Sequence, residues 1–304
     1  MKKIVTLFLA VVLTLGLTGC SSSSEENETI RIQFVPTNSD TAEATTAEFE
    51  AYMEDLLGKD VEITIATNYN TIVEAMQSGQ VDVGIMPPAT YVQARGLEAA
   101  EVILSSTLID YDQTTEQPIE GSKVGTFKAE VLVRADSGID SYEDLVGKKV
   151  AYLGASSASG YIYPVAEMKD LGLEIDTSIW TEINVVTNAM QAVINGDVDA
   201  CFVFEGARYV FQNAGLLDAD GNEADVFKLL SVAKLSDGDI PNDAIAVSPS
   251  LSADTKTAIK EAFLKMASDE KGLEIMSCWG HTGYVETTEE AYDTIEDYIE
   301  KAAE

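Results

Sequence analysis

The segment Ala75-Met-Gln-Ser-Gly-Gln-Val-Asp-Val83 returns later in the chain as Ala192-Val-Ile-Asn-Gly-Asp-Val-Asp-Ala200. Each copy reads as the end of a helix, a glycine stop and a buried strand. The residues that open each helix match in the same register, Thr71 and Glu74 against Asn188 and Gln191. A chain that builds one helix-to-strand unit twice, far apart, is constrained to two similar α/β lobes. Two such lobes enclose a cleft, and the cleft is where function is to be sought.

The pattern around the repeat extends this reading. Strands are expected at 30–36, 61–67, 81–86 and 102–107, with helices at 42–57, 71–78 and 89–95 between them. This β-α-β-α rhythm predicts a mostly parallel sheet with helices on both faces. Residues 110–122 are polar and patternless and read as a loop before a long crossing strand at 123–135. A second lobe follows, with helices at 141–146, 159–171 and 188–194 and strands at 149–153, 180–186 and 198–204. The chain crosses back near 230–241, adds a strand at 244–247, and closes with amphipathic helices at 251–267 and 287–303. Two crossings make lobe one discontinuous and supply a hinge.

The first residues read as an address. Lys2 and Lys3 precede a largely apolar run from Ile4 to Leu17, too short to span a bilayer core of ~30 Å. It ends in Leu17-Thr18-Gly19-Cys20, which resembles a bacterial lipobox, with cleavage before Cys20 and a lipid on its thiol. Ser21 to Thr29 is a polar tether without a folding pattern. The boundaries expected are a signal at 1–19, lipidated Cys20 and tether at 20–29, lobe one at 30–123 and 236–304, and lobe two at 124–235. The formal net charge of −33 repels nucleic acid and anionic headgroups. An anionic ligand must therefore be held by local donors. Cys201 reads as a core residue of its strand. A bridge from it to Cys278 is geometrically possible but unsupported. No metal-ligand spacing occurs, and His281 is the single histidine.

The most informative local stretch is Leu153-Gly-Ala-Ser-Ser-Ala-Ser-Gly-Tyr-Ile-Tyr-Pro164. It runs from a strand into a helix through small hydroxyl residues. Ser157 and Ser159 offer hydroxyls, Gly160 admits close approach, and the helix start offers free N–H groups, a set suited to a small tetrahedral oxyanion. The alternative is that the serines only cap the helix. In lobe one, Asn68-Tyr69-Asn70 and Pro87-Pro88-Ala89-Thr90-Tyr91 place Tyr69 and Tyr91 at equivalent strand ends, as cleft aromatics or as ordinary surface rings. Glu205 follows the second repeat strand, either facing the cleft or serving as the first-turn acid of the next helix.

These stretches resemble the substrate-binding proteins of phosphate/phosphite/phosphonate ABC transporters. The likeness is carried by Asn68-Tyr69, Glu74-Ala75-Met76, Gly79-Gln-Val-Asp82, Pro88-Ala-Thr-Tyr91, Asp136-Ser-Gly-Ile-Asp-Ser, Asp144-Leu-Val-Gly-Lys-Lys-Val150, Ser157-Ala-Ser-Gly-Tyr161, Gly196-Asp-Val-Asp-Ala200, Ile240-Pro-Asn-Asp243 and Gly283-Tyr-Val285. The resemblance implies a type II periplasmic-binding-protein fold, two α/β lobes around a hinged cleft. It implies a phosphonate group on Ser157, Ala158, Ser159, Gly160 and Tyr161, with Tyr69, Thr90 and Tyr91 closing from lobe one and Glu205 toward the organic end. Two departures stand out. Ala158 occupies the middle of a serine–threonine–serine turn, and Asn188 stands where relatives that bind aminoalkyl phosphonates often have a histidine nearby, either substituting as a neutral donor to the ligand or capping its helix.

The expected function is capture of a small phosphorus oxyanion by a lipid-anchored, monomeric, extracytoplasmic protein that delivers it to ABC permease subunits. No cofactor is implied. The same fold binding a sulfonate, a vitamin precursor or another small organic anion is the alternative, as is a sensor lipoprotein without transport. An enzyme is not expected: Ser157 and Ser159 lack a Gly-x-Ser-x-Gly elbow, and His281 lies in a segment assigned to the other lobe.

Overall fold

The computed structural model describes residues 29–35, 42–66, 68–112 and 117–304. The signal, Cys20 and most of the tether lie outside the described residues. No helix among those described is long and apolar enough to cross a membrane.

Lobe one begins with β1 (Ile30–Phe34), α1 (Ala42–Leu57), β2 (Val61–Ile65), α2 (Tyr69–Gln77), β3 (Val83–Met86), α3 (Pro88–Gly96) and β4 (Glu101–Tyr111). β4 turns back through β5 (Pro118–Val124), and β6 (Thr126–Phe127) starts the crossing. Lobe two holds β7 (Ala129–Arg134), β8 (Val150–Tyr152), α4 (Tyr163–Asp170), β9 (Thr181–Glu182), α5 (Val186–Asn195), β10 (Ala200–Phe204), α6 (Ala207–Val210), α7 (Val226–Leu229) and β11 (Leu230–Leu235). The chain returns through β12 (Ile240–Pro241) to β13 (Ala244–Val247), α8 (Ala253–Met266), α9 (Glu270–Met276), β14 (Gly283–Val285) and α10 (Asp293–Ala303).

Among the described residues, seven strands form the first sheet in the order β14-β4-β13-β3-β1-β2, with β5 on β4. Five form the second in the order β11-β7-β10-β8-β9. Both sheets are mixed rather than mostly parallel as the rhythm predicts, because strands that arrive from a crossing or a hairpin pair antiparallel. β1 pairs in parallel with β2 and β3, and β8 with β9 and β10. The strands that enter each lobe from a crossing, β7 and β13, run antiparallel to their neighbours.

The repeat has one physical form in both lobes. Gly79 (φ 70°) and Gly196 (φ 77°) take the left-handed conformation that ends a helix at low steric cost. The Ala75 carbonyl accepts from Gln80 and Val81, and the Ala192 carbonyl from Asp197 and Val198. The aspartates match as well. Asp82 accepts the Arg31 N–H at 2.9 Å, and Asp199 accepts the Lys149 N–H at 2.8 Å. Each carboxylate thus ties the start of its strand to the parallel neighbour.

Three further expectations are corrected. The described residues of the polar segment at 110–122 are largely strand: β4 and β5 form an arm, held where Ser122 Oγ accepts the Asp110 N–H and donates to the Ile119 carbonyl, both at 2.7 Å. Its solvent-facing polar side chains hid the pairing from the hydrophobic pattern. The long crossing strand is broken at Gly125 and Lys128 into β5, β6 and β7. The expected helix at 141–146 is one 3-10 turn, Glu143–Leu145.

The crossings bind each other. β6 pairs antiparallel with β12, Ser236 and Ala129 exchange hydrogen bonds, and fully buried Asn242 donates to the carbonyls of Ser106 (3.1 Å) and Val124 (2.7 Å). α10 spans both lobes. Arg95 of α3 bonds Asp293 and Glu296, while Tyr298 stacks on Tyr163 at 3.8 Å and Lys301 pairs with Asp170 of α4.

Candidate functional site

The lobe-two wall is built from the end of β8. Gly154, at φ 112°, turns the chain, and Ser157 then caps a π-helical turn, Ala158–Ile162, that feeds α4. Ser157 Oγ accepts the Gly160 N–H at 3.1 Å. A Cβ on Gly160 would lie 2.6 Å from Leu153 Cβ and 2.8 Å from Ser157 Oγ, so the turn needs glycine there. Ser157 is half-buried, Ala158 and Ser159 are buried, and Tyr161 leans on Tyr152. The π turn widens the first helical turn at the position where a ligand would meet the backbone.

Ala158, Tyr161, Ile162 and Tyr163 pack in the same hydrophobic cluster as Ala66, Ala89 and Tyr91 of lobe one. The serine turn is therefore at the meeting of the lobes. Ala158 belongs to this buried contact.

In lobe one, Tyr69 opens α2 behind the cap Asn68, whose Oδ1 accepts the Thr71 N–H at 3.1 Å. Partial burial, then the Asp243 carboxylate, push the Tyr69 hydroxyl well above its ordinary range. Thr90 is buried at the start of α3. Tyr91 does not stand in the cleft. Its side chain is 0% exposed and meets Tyr292 edge-on at 4.8 Å, beneath α3. A half-turn of helix separates a residue at the rim from one in the core, and strand-end position alone does not reveal which it is.

Glu205 is not a first-turn acid of the next helix: α6 begins at Ala207, with Gly206 at its N-cap. Instead Glu205 Oε2 accepts the Lys128 N–H at 3.0 Å, and its own N–H donates to the Lys128 carbonyl. It is thereby fixed to the crossing strand. Half-burial raises its carboxyl, opposed by the Lys128 N–H and helped by Asp110. Beneath it, buried Glu130 accepts the Gly206 N–H at 2.9 Å, and its Oε1 has no hydrogen-bond partner. Asn188 is exposed on the first turn of α5 and caps nothing, since that helix starts at Val186.

Two residues of this wall escaped the sequence reading. Asp243 follows β12 at the cleft end of the first sheet, and His281 stands beside it, Nε2 to Oδ2 at 3.2 Å. The Ile240-Pro-Asn-Asp243 stretch was the available signal for the first. Nothing in the sequence brought the single histidine to it. Cys201 and Cys278 are free and buried, one in each lobe.

The sequence matches the family model described as ABC transporter, phosphonate, periplasmic substrate-binding protein over residues 32–292. It is 28% identical over 216 residues to the phosphate-import protein PhnD of Mycolicibacterium smegmatis. That alignment takes in 64% of this chain and 64% of the relative, so the chain spans less than two thirds of that relative's length. The fold matches the binding protein component of an ABC phosphonate transporter from Pseudomonas aeruginosa, with TM-score 0.69, 17% identity, and 89% and 85% of the two chains covered. It also matches PhnD1 from Prochlorococcus marinus in complex with methylphosphonate, with TM-score 0.69, 13% identity, and 91% and 99% covered.

Proposed function

The chain belongs to the periplasmic substrate-binding proteins of phosphonate ABC transporters, and from that membership we propose that it captures a small phosphorus oxyanion, a phosphonate, phosphite or phosphate ester, for an ABC importer. The observation that supports this reading is the Ser157–Gly160 turn, which holds hydroxyls and a helix start where the lobes meet. Ser157, Ser159 and neighbouring N–H groups receive the oxyanion, and Tyr69 closes over it. Thr90 lines the lobe-one side. Glu205 faces the organic end. Tyr91 supports this wall from below rather than touching the ligand.

Ligand bridging the lobes stabilises the closed form, with the paired crossings as the hinge. The protein acts as a monomer tethered through lipidated Cys20 on the outer face, and its permease reads the closed state. Ala158 motivates the second reading, a sulfonate or other small organic anion, because it removes one donor from the turn. A thermal-shift panel of methylphosphonate, phosphite, phosphate and methanesulfonate separates the two. Stabilisation by the phosphorus compounds supports the first reading; stabilisation by the sulfonate alone supports the second.

A further inference from the structure

His281 is buried yet reaches the cleft wall through one carboxylate. Its Nε2 lies 3.2 Å from Asp243 Oδ2, with the two side chains 1% and 30% exposed respectively. A carboxylate only accepts, so Nε2 carries a proton and donates. Nδ1 lies 3.3 Å from the Tyr284 hydroxyl. Burial drives that hydroxyl far above its ordinary range, so it keeps its proton. The ring is also stacked on Trp279 at 5.7 Å and 27°. Both nitrogens of the imidazole are thus engaged and one face is packed, and the Asp243 carboxylate is held at the carboxyl end of β3, where the next residue, Ala244, pairs with Met86 just before α3. A contact of this kind around a binding group fixes its direction, as an outer shell does for a metal ligand or a catalytic acid.

We propose that His281 is a positioning residue of the cleft: it fixes the Asp243 carboxylate at the strand ends of lobe one, so that this lobe presents an acceptor that selects an oxyanion retaining a proton over one that has none. The inference rests on the reading that an oxyanion occupies this cleft. A singly protonated phosphonate donates its P–OH to Asp243, whereas a sulfonate offers only acceptors and meets an unpaired carboxylate.

The test is calorimetric titration of methylphosphonate and methanesulfonate into wild type, His281→Phe and His281→Gln. It is joined by 15N-histidine NMR of the wild type, where one histidine gives one set of ring signals. Wild type is expected to prefer methylphosphonate at least tenfold. His281→Phe keeps the packing on Trp279 and should lose at least tenfold in methylphosphonate affinity and most of the preference. His281→Gln, with an amide N–H that reaches Asp243, should recover most of both. The ring signals should shift when methylphosphonate is added, although the ring itself is out of its reach. If His281→Phe melts lower but keeps wild-type affinities, the histidine is only structural and the inference falls, while the binding reading stands. Unmoved ring signals in a wild type that binds overturn it equally, whether or not the Phe variant folds. A wild type that binds neither compound overturns both.

Discussion

Gly206 sits in the left-handed region at φ 81°, and a Cβ there would run into the ring of Tyr111. Gly206→Ala is expected to destabilise the protein by about 1–3 kcal/mol in denaturant titration and to loosen the β4–β5 arm from lobe two. A change below the error of the titration contradicts this packing. The buried partner of that turn, Glu130, gives a pH signature. Burial, opposed by the Gly206 N–H and assisted by Glu205, pushes its carboxyl up from 4.5 to about 8. The folded chain therefore keeps a proton that the unfolded chain releases. This group's contribution is undiminished below the unfolded value, and the stability of the fold declines as pH rises from about 4.5 to about 8, by on the order of a few kcal/mol at most. Glu130→Gln should flatten the fall in melting temperature between pH 5 and pH 8. An unchanged slope would show that Glu130 is ionised throughout. Neither residue was visible beforehand, since a lone glutamate in Ala129-Glu-Val-Leu-Val133 reads as the polar face of a strand rather than a buried acid.

At the scale of elements, the repeated unit was the most legible part of the chain. Its glycine stop and strand aspartate are local chemistry, so both copies fold as the sequence reads. The serine turn was legible as a strand-to-helix passage, but its π-helical start depends on Gly160 closing against Leu153, a tertiary contact. The β4–β5 arm was not legible because β5 is largely exposed and its register with β4 shifts, so no apolar alternation marks it. Ser157→Ala removes the cap on the Gly160 N–H and should cost about 1 kcal/mol of stability, with a larger proportional loss of oxyanion affinity. Loss of stability with unchanged affinity would assign the serine to capping alone. α10 was expected in lobe one, yet it also packs on α4, where Tyr298 donates to Glu167 at 3.3 Å and stacks on Tyr163. Tyr298→Ala should lower stability by about 1–3 kcal/mol, measured by denaturant titration, whereas Tyr298→Phe should retain most of it.

For the molecule as a whole, two mixed sheets joined by two paired crossings bring the serine turn of lobe two against Ala66, Ala89 and Tyr91 of lobe one at one seam. Which residues face that seam depends on how the lobes meet, and that relation is absent from any local pattern. Tyr91 looked equivalent to Tyr69 in sequence and lies in the core instead. The net charge of −33 opposes an anionic ligand at long range. Salt shortens the Debye length from ~30 Å at 0.01 M to ~8 Å at 0.15 M, so affinity for an oxyanion should hold or rise with ionic strength. A steep fall would mean that a cationic field, rather than local donors, binds the ligand. The most direct measurement of the central claim is calorimetric titration of the mature chain with methylphosphonate, phosphite and phosphate, repeated on Ser157→Ala/Ser159→Ala. Saturable one-to-one binding of at least one of them, lost in the double variant, is the predicted result. Heat with none of the three, or binding indifferent to both serines, would contradict it.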